Sequence, residues 1–459
     1  MSKRDKSRIK GNNPSSQRRR VATVWMFALV AALLAAGIVG VKLSKASRLG
    51  AGRSAKPVMT DADNDRELRH EQLDAAQKLL TEFPTNDDVV YLAGLVHEDQ
   101  GDTDQAMKLW ARSIELDATR GDANESLGQA LLLRDDYAAA EKYLRRALEI
   151  DTNSVNARFR LAKTLSQQGK LQEALVVLEK VGTLSAEGYR LMGEICQQLN
   201  QHERARTNYE AAIRLKADFP EAYYGLAQTF TQLGEAGKSR ELMEKSSALR
   251  KESDEQARRA HAEFNSLAVT RQSVARTHTD VGRVYMVLGK TAKAEELWLR
   301  AAALDSKNVL CRLQLAVLYQ QTRRDREALH FYEQAAMLDP KDGLTQLNMG
   351  RICMKLQNPD RAQTAFKEVI RLEPKRPEGY SALAQLYIQT RSNLAEAERL
   401  ATVATELARE APYFALLSQA CAQNGNQDGA LSAINQAIEL QPANPQFVQM
   451  RETILGAKR

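Results

Sequence analysis

A self-similarity of period 34 constrains this chain more than any other feature. The segment VYLAGLVHEDQGDTDQAMKLWARSIELDA sets Gly94, Gly101, Ala106, Trp110 and Leu116 in order, and a shift of 34 brings Gly128, Asp135, Ala140, Leu144 and Ile150 to the same positions. The pattern returns as Gly193, Asn200, Ala205, Tyr209, Leu215, then as Gly282, Gly289, Ala294, Trp298, Leu304. It continues as Ala316, Arg323, Ala328, Tyr332, Leu338, as Gly350, Gln357, Ala362, Phe366, Leu372, and as Ser418, Gly425, Ala430, Ile434, Leu440. Weaker copies begin near Ala157, Glu221 and Glu378. A fixed period of this length implies a stack of like units, each burying its apolar face against the next.

The chemistry of the positions indicates helix pairs. Small residues at the eighth and twentieth positions let two antiparallel helices approach closely, and large ones at the twenty-fourth (Trp110, Tyr209, Trp298, Tyr332, Phe366) fill the gap to the next unit. A glycine or polar residue at the fifteenth makes the turn, and Pro340, Pro374 or Pro442 closes the second helix. Only 11 prolines and 24 glycines occur in 459 residues, too few for the many turns of a β-sandwich or barrel. A helix–turn–helix period of 34 with these residues resembles the tetratricopeptide repeat (TPR) family. The resemblance covers about residues 87 to 444 in ten copies and implies an all-α superhelix, an α-solenoid of about ten repeats.

The copies depart from one another in informative places. The copy at 155–184 is three residues short, the one at 220–250 has Ser239 where alanine is expected, and the one at 377–409 carries an extra residue near Asn393. About 21 extra residues around 254–273 read as an additional or extended helix and as the joint between two blocks of five. The organisation expected is a basic cytoplasmic tail (1–20), a transmembrane helix (21–41), a linker (42–65), a capping helix with the first block (66–250), the joint (251–273) and the second block (274–459).

The transmembrane expectation rests on 21 residues between Arg20 and Lys42 whose only polar side chain is Thr23. That is about 30 Å of helix, the thickness of a bilayer core. It exceeds the apolar length of a cleaved signal peptide. Eight basic residues precede it and five (Lys42, Lys45, Arg48, Arg53, Lys56) follow within the flank, which favours a cytoplasmic N-terminus and an array on the non-cytoplasmic side, the periplasm in a bacterium. Ala28, Ala32, Ala36 and Gly40 recur every four residues as a stripe of small side chains, a candidate homodimer seam in lipid. The net charge of +7 suggests nucleic acid until its distribution is read. Thirteen Lys/Arg against one acid lie in residues 1–56, leaving the repeats mildly acidic, and nucleic acid is set aside.

Catalysis is not indicated. Cys196, Cys311, Cys353 and Cys421 form no CxxC pair, and the six histidines are scattered without a metal or nucleophile motif. His97 with Glu98 and Asp99 reads as a solvated helix end. No cofactor is expected, and the repeats run to within about fifteen residues of Arg459, leaving no room for the catalytic domain that follows some TPR arrays.

The resemblance implies a concave groove lined by the first helix of each repeat at positions two, five, nine and twelve. Carried over residue by residue, the first block contributes Asp88, Glu98, Asp122, Glu125, Glu187, Glu194 and Glu221 against Lys163 and Arg190, with Tyr91, Phe159 and Tyr224 interleaved. The second block contributes Met286, Leu310, Leu313, Val317, Leu344, Leu347, Met354 and Ile388, with Arg276, Arg283 and Arg351 against Glu378. Leu310 and Leu313 recur one repeat later as Leu344 and Leu347, an expected apolar strip. Only Asn156 and Lys163 offer the Asn–Lys pair with which some TPRs clamp a peptide carboxylate, so that function is not carried over. The expectation is a membrane-anchored scaffold or adaptor for protein or peptide partners. The alternatives are a receptor for proteins in transit and a substrate-binding or regulatory subunit of a separately encoded enzyme.

Overall fold

The structure is a computed structural model describing residues 61–262 and 266–457, so the transmembrane segment, its packing stripe and most of the linker lie outside the described residues. Among the described residues there are 22 helices and no strand. Helix α1 (Asp61–Glu82) precedes ten antiparallel pairs. The first block comprises α2–α3 (Asp87–Asp99, Thr103–Leu116), α4–α5 (Gly121–Leu133, Tyr137–Ile150), α6–α7 (Val155–Gln167, Leu171–Glu179), α8–α9 (Ala186–Gln198, His202–Leu215) and α10–α11 (Pro220–Gln232, Ala236–Ala262). The second comprises α12–α13 (Ser266–Val287, Thr291–Leu304), α14–α15 (Val309–Gln321, Asp325–Leu338), α16–α17 (Gly343–Lys355, Pro359–Leu372), α18–α19 (Pro377–Thr390, Leu394–Leu407) and α20–α21 (Ala411–Gln423, Gln427–Leu440). Helix α22 (Pro445–Ala457) packs Phe447 and Ile454 onto the second block's end.

The repeat positions act as their chemistry requires. Ala106, Ala140, Ala205, Ala294, Ala328, Ala362 and Ala430 are fully buried where paired helices cross. A Cβ added at Gly94 would stand 2.5 Å from Trp110, and one at Gly350 only 2.3 Å from Phe366, so the aromatic of the second helix fills space that glycine leaves in the first. The fifteenth residue is left-handed in all ten pairs, from Gly101 (φ 80) to non-glycine cases such as Arg323 (φ 58) and Gln357 (φ 57). Side-chain oxygens of Asn86, Asp102, Asp136, Ser154, Asn308 and Asn358 each cap the helix that follows.

The departures are absorbed locally. The short copy loses its residues from α7, which has nine where its counterparts have fourteen. Asn393 adopts φ 46, a second left-handed residue that takes up the extra position. Ser239 is buried and shares a 2.8 Å hydrogen bond with Thr231. The insertion around 254–273 lengthens two helices, giving α11 27 residues and α12 22.

Helix α1 determines how the blocks meet. It packs on α2 and, more extensively, on α12, some 200 residues later. Asp65 meets Thr270, Gln72 meets Thr277 and Glu82 meets Tyr285, so α1 runs parallel to α12. Helix α2 also touches α12. Leu79 of α1 and Val89 and Leu92 of α2 therefore belong to one continuous core with Ala275, Val281, Trp298 and the rest of the second block. The first block has its own core, from Ala106 to Phe230. An open solenoid end exposes apolar surface that needs a cap; α1 covers the starting ends of both blocks.

Candidate functional site: the concave faces

Most of the acids on the concave face of the first block are paired from within. Arg120, at the start of α4, donates to Asp87 (2.8 Å), Asp88 (2.6 Å) and Asp122 (2.9 Å), and its guanidinium lies 4.6 Å over the Tyr91 ring. Burial opposes its charge, yet these carboxylates outweigh burial and raise its pKa. Tyr91 is half-buried and its hydroxyl meets Ser126 at 3.3 Å. Glu125 accepts from Arg160 and from Ser154 (3.0 Å). Arg190 bridges Glu187 (3.1 Å) and Glu194 (2.9 Å). Phe159 packs against the core, while Tyr224 is exposed. Of the acids expected in this groove, Asp88, Asp122, Glu125, Glu187 and Glu194 are thus held in internal ion pairs, while Glu98 and Glu221, like the basic Lys163, have none among the described residues. Arg120 and Arg160 were missed because neither occupies one of the four positions taken to line the groove.

The second block differs. Leu310 and Leu344 open consecutive first helices and are 50% and 54% exposed. Leu313 is half-buried, whereas Leu347 and Ile388 are 5% and 2% exposed and belong to the core. Those two are not groove residues. Helix geometry gives the reason: at 100° per residue, positions two and nine fall within about 20° of each other, and positions five and twelve turn about 60–80° away, toward the adjacent helix. The apolar row on the surface is Leu310 and Leu344, with Val317 partly exposed. Arg351 is exposed and has no ion-pair partner among the described residues, and Arg283 reaches only Asp280, at 3.3 Å. Glu378 is engaged by Arg376 at 3.1 Å.

Two hollows carry this face across the junction. One of about 600 Å3 lies between α12 and α14, lined by Arg276, Thr279, Asp280, Asn308 and Leu310. A smaller one of about 250 Å3 joins α2 to α12 and shares Arg276 and Asp280 with the first. Its wall includes Leu95, an exposed leucine at position nine of the first repeat. Sequence could mark Leu95 as apolar at a groove position, but not as a neighbour of the second block. That adjacency depends on α1 closing the 200-residue gap.

Where α1, α12 and α13 meet, on the other side of the joint, lies a cavity of about 760 Å3. Its walls are pinned by Glu71, which accepts two hydrogen bonds from Arg300 (2.8 Å each) and meets buried His278 Nε2 at 2.8 Å. Arg300 first, and then His278, hold the Glu71 carboxyl down to about 2 against the effect of burial. Gln72, 1% exposed, directs its amide nitrogen at Asp99, Ser273 and Thr277, tying α1 to both α2 and α12. The four cysteines are buried and free, and burial pushes the Cys311 thiol up to about 11 and Cys421 to about 12. Among the described residues no group of three or more His, Cys, Asp or Glu is placed to hold a metal. None of their helices is long and apolar enough to cross a membrane.

Comparison with known proteins matches this architecture. Tetratricopeptide repeat models match residues 326–386 and 411–444, and a TPR repeat model matches 193–234. A model of anaphase-promoting complex, cyclosome, subunit 3 matches 99–181. A TPR repeat-containing protein of Methanocaldococcus jannaschii is 28% identical over 120 residues, 26% of this chain and 21% of its own length. Human protein O-mannosyl-transferase TMTC3 is 24% identical over 350 residues, covering 71% of this chain and 37% of that protein. The chain therefore spans well under half the length of these two curated relatives. Among solved structures, YrrB, a TPR protein with an unusual peptide-binding site, is similar at 19% identity and a TM-score of 0.36, over 39% of this chain and 92% of YrrB.

Proposed function

The chain is a tetratricopeptide-repeat protein, and from that premise we propose that it is a non-catalytic scaffold holding protein or peptide partners in the concave groove of its second block. The observation that carries this reading is the pair Leu310 and Leu344, exposed at the same position of consecutive repeats on a face whose arginines the protein leaves largely unspent. Apolar side chains recurring at one repeat spacing form a strip, and such strips on soluble surfaces mark interaction sites. The apolar segment 21–41 supports anchoring in a membrane, with the array on the non-cytoplasmic side, and its Ala28/Ala32/Ala36/Gly40 stripe supports pairing of two anchors.

The test is a crosslinking pulldown from membranes carrying the full-length chain, with and without Leu310→Glu and Leu344→Glu together. Loss of the partners with an unchanged circular dichroism spectrum is expected, because capture would bury two unpaired carboxylates. Undiminished capture by the double variant would remove the second block from the binding site. The similarity to the O-mannosyl-transferase supports a second reading, in which the array presents substrate to a separately encoded transferase. Co-purification of glycosyl-transfer activity separates it from a scaffold of non-enzymatic partners. An array facing the cytosol, as a receptor for proteins in transit would have, is separated by protease accessibility in intact cells.

A further inference from the structure

The arginines of the second block's groove are the least satisfied on the concave surface. In the first block, Arg120 is held by three carboxylates, Arg190 by two and Arg160 by Glu125. In the second, Arg276 is 71% exposed with Asp99 no nearer than 3.9 Å, Arg283 is 61% exposed against Asp280 alone, and Arg351 faces solvent without an ion pair among the described residues. The one acid at a groove position there, Glu378, is already bound by Arg376.

These arginines stand beside exposed leucines. Leu310 and Leu344 stand at position two of successive first helices, α14 and α16. At position nine, seven residues or about 10 Å further along a helix, α12 carries Arg283, α14 the partly exposed Val317 and α16 Arg351. Exposed arginines therefore flank an apolar patch: Arg276 and Arg283 on the α12 side of Leu310, and Arg351 beyond Leu344 on α16. We propose that the occupant of this groove is an acidic amphipathic segment of a partner protein, its apolar stripe on Leu310 and Leu344 and its carboxylates on Arg283 and Arg351. This rests on the reading of the second block as the binding face and adds the chemistry of what binds there. The ion pairs form at exposed arginines, so they select partners and speed encounter, and they weaken with salt.

The experiment uses the full-length chain in its own membranes with p-benzoylphenylalanine in place of Leu344, and a control with the same group in place of Met337, which is 82% exposed on α15. After irradiation the crosslinked segment is identified by mass spectrometry. The expected result is a crosslink specific to the Leu344 position, to a segment with two or more apolar residues flanked by Asp or Glu. Its yield falls at least tenfold when Arg283→Glu and Arg351→Glu are combined, and severalfold with Arg283→Gln and Arg351→Gln, with circular dichroism unchanged in both. A crosslinked segment that is neutral or basic, a lipid adduct, or a yield indifferent to both pairs of substitutions overturns the proposal; a neutral or basic protein segment leaves the groove itself standing as a binding face. No crosslink above the Met337 control overturns both, since nothing then occupies the groove.

Discussion

The two blocks share one repeat and one packing scheme, yet their concave faces are finished differently. In the first, arginines near the helix starts close on the acids of the preceding or the same repeat, as Arg120 does on Asp87, Asp88 and Asp122. In the second, the corresponding surface carries Leu310, Leu344 and arginines with few acids to meet them. The scaffold determines where the groove positions point, and a handful of residues decides whether the surface is satisfied internally or left for another molecule. The first face contributes to cohesion between repeats, and the second is the face proposed above to meet a partner.

That contrast can be broken most severely inside the second block. Leu347→Glu, at a position one turn from the exposed row, is expected to cost about 4 kcal/mol or more by burying a carboxylate in the core. Leu344→Glu should stay within about 0.5 kcal/mol. Urea unfolding of the two variants followed by circular dichroism reads the difference, and comparable losses would mean that Leu344 is core as well. Next in size, Arg120→Met should cost about 1–3 kcal/mol because it leaves three carboxylates facing one another and uncovers Tyr91. Arg351→Met should again stay within about 0.5 kcal/mol. Equal effects from the two arginines would erase the proposed distinction between the faces.

The joint between the blocks responds to acid. Glu71 is held at about 2 in the folded chain against an ordinary value of 4.5, so it titrates at lower pH folded than unfolded. Its contribution is present above about pH 4.5 and is lost as pH falls from there toward 2, because the unfolded state binds the proton first. The loss should be about 1 kcal/mol once solvent screening of a partly exposed group is allowed for. Glu71→Gln should flatten that part of the stability–pH curve, measured by thermal melts between pH 2 and 6. The smallest effect concerns a turn. Arg323 is left-handed where Gly101 serves the first block, and Arg323→Gly should stabilise by about 0.5–1 kcal/mol. A lower melting temperature for that variant would show that the arginine side chain contributes more than the strain costs.

Most of the solenoid was legible because its determinants are local. Glycine at position eight with an aromatic at position twenty-four, as in Gly350 and Phe366, states its own packing, and the turn at position fifteen needs only a residue tolerant of positive φ. The groove was half legible. The stripe of positions two, five, nine and twelve is correct as a helical face, but its two edges differ by 60–80°, and the inner edge took Leu347 and Ile388 into the core. Arg120 and Arg160 escaped notice because an arginine's reach spans repeats, which spacing along the chain does not record. Nor could the period announce that α1 serves two blocks, since its contacts to α12 join residues about 200 apart in the chain.

That shared cap has a consequence in time. A ribosome adding roughly 5–20 residues per second delivers α12 some 10–40 s after α1. Until then Leu79 lacks its neighbours in Ala275 and Val281. The first block can fold on its own contacts during that wait, with α1 held on α2 alone. Docking of α12 is thus a late, long-range step, and only then is α1 packed on both of its neighbours.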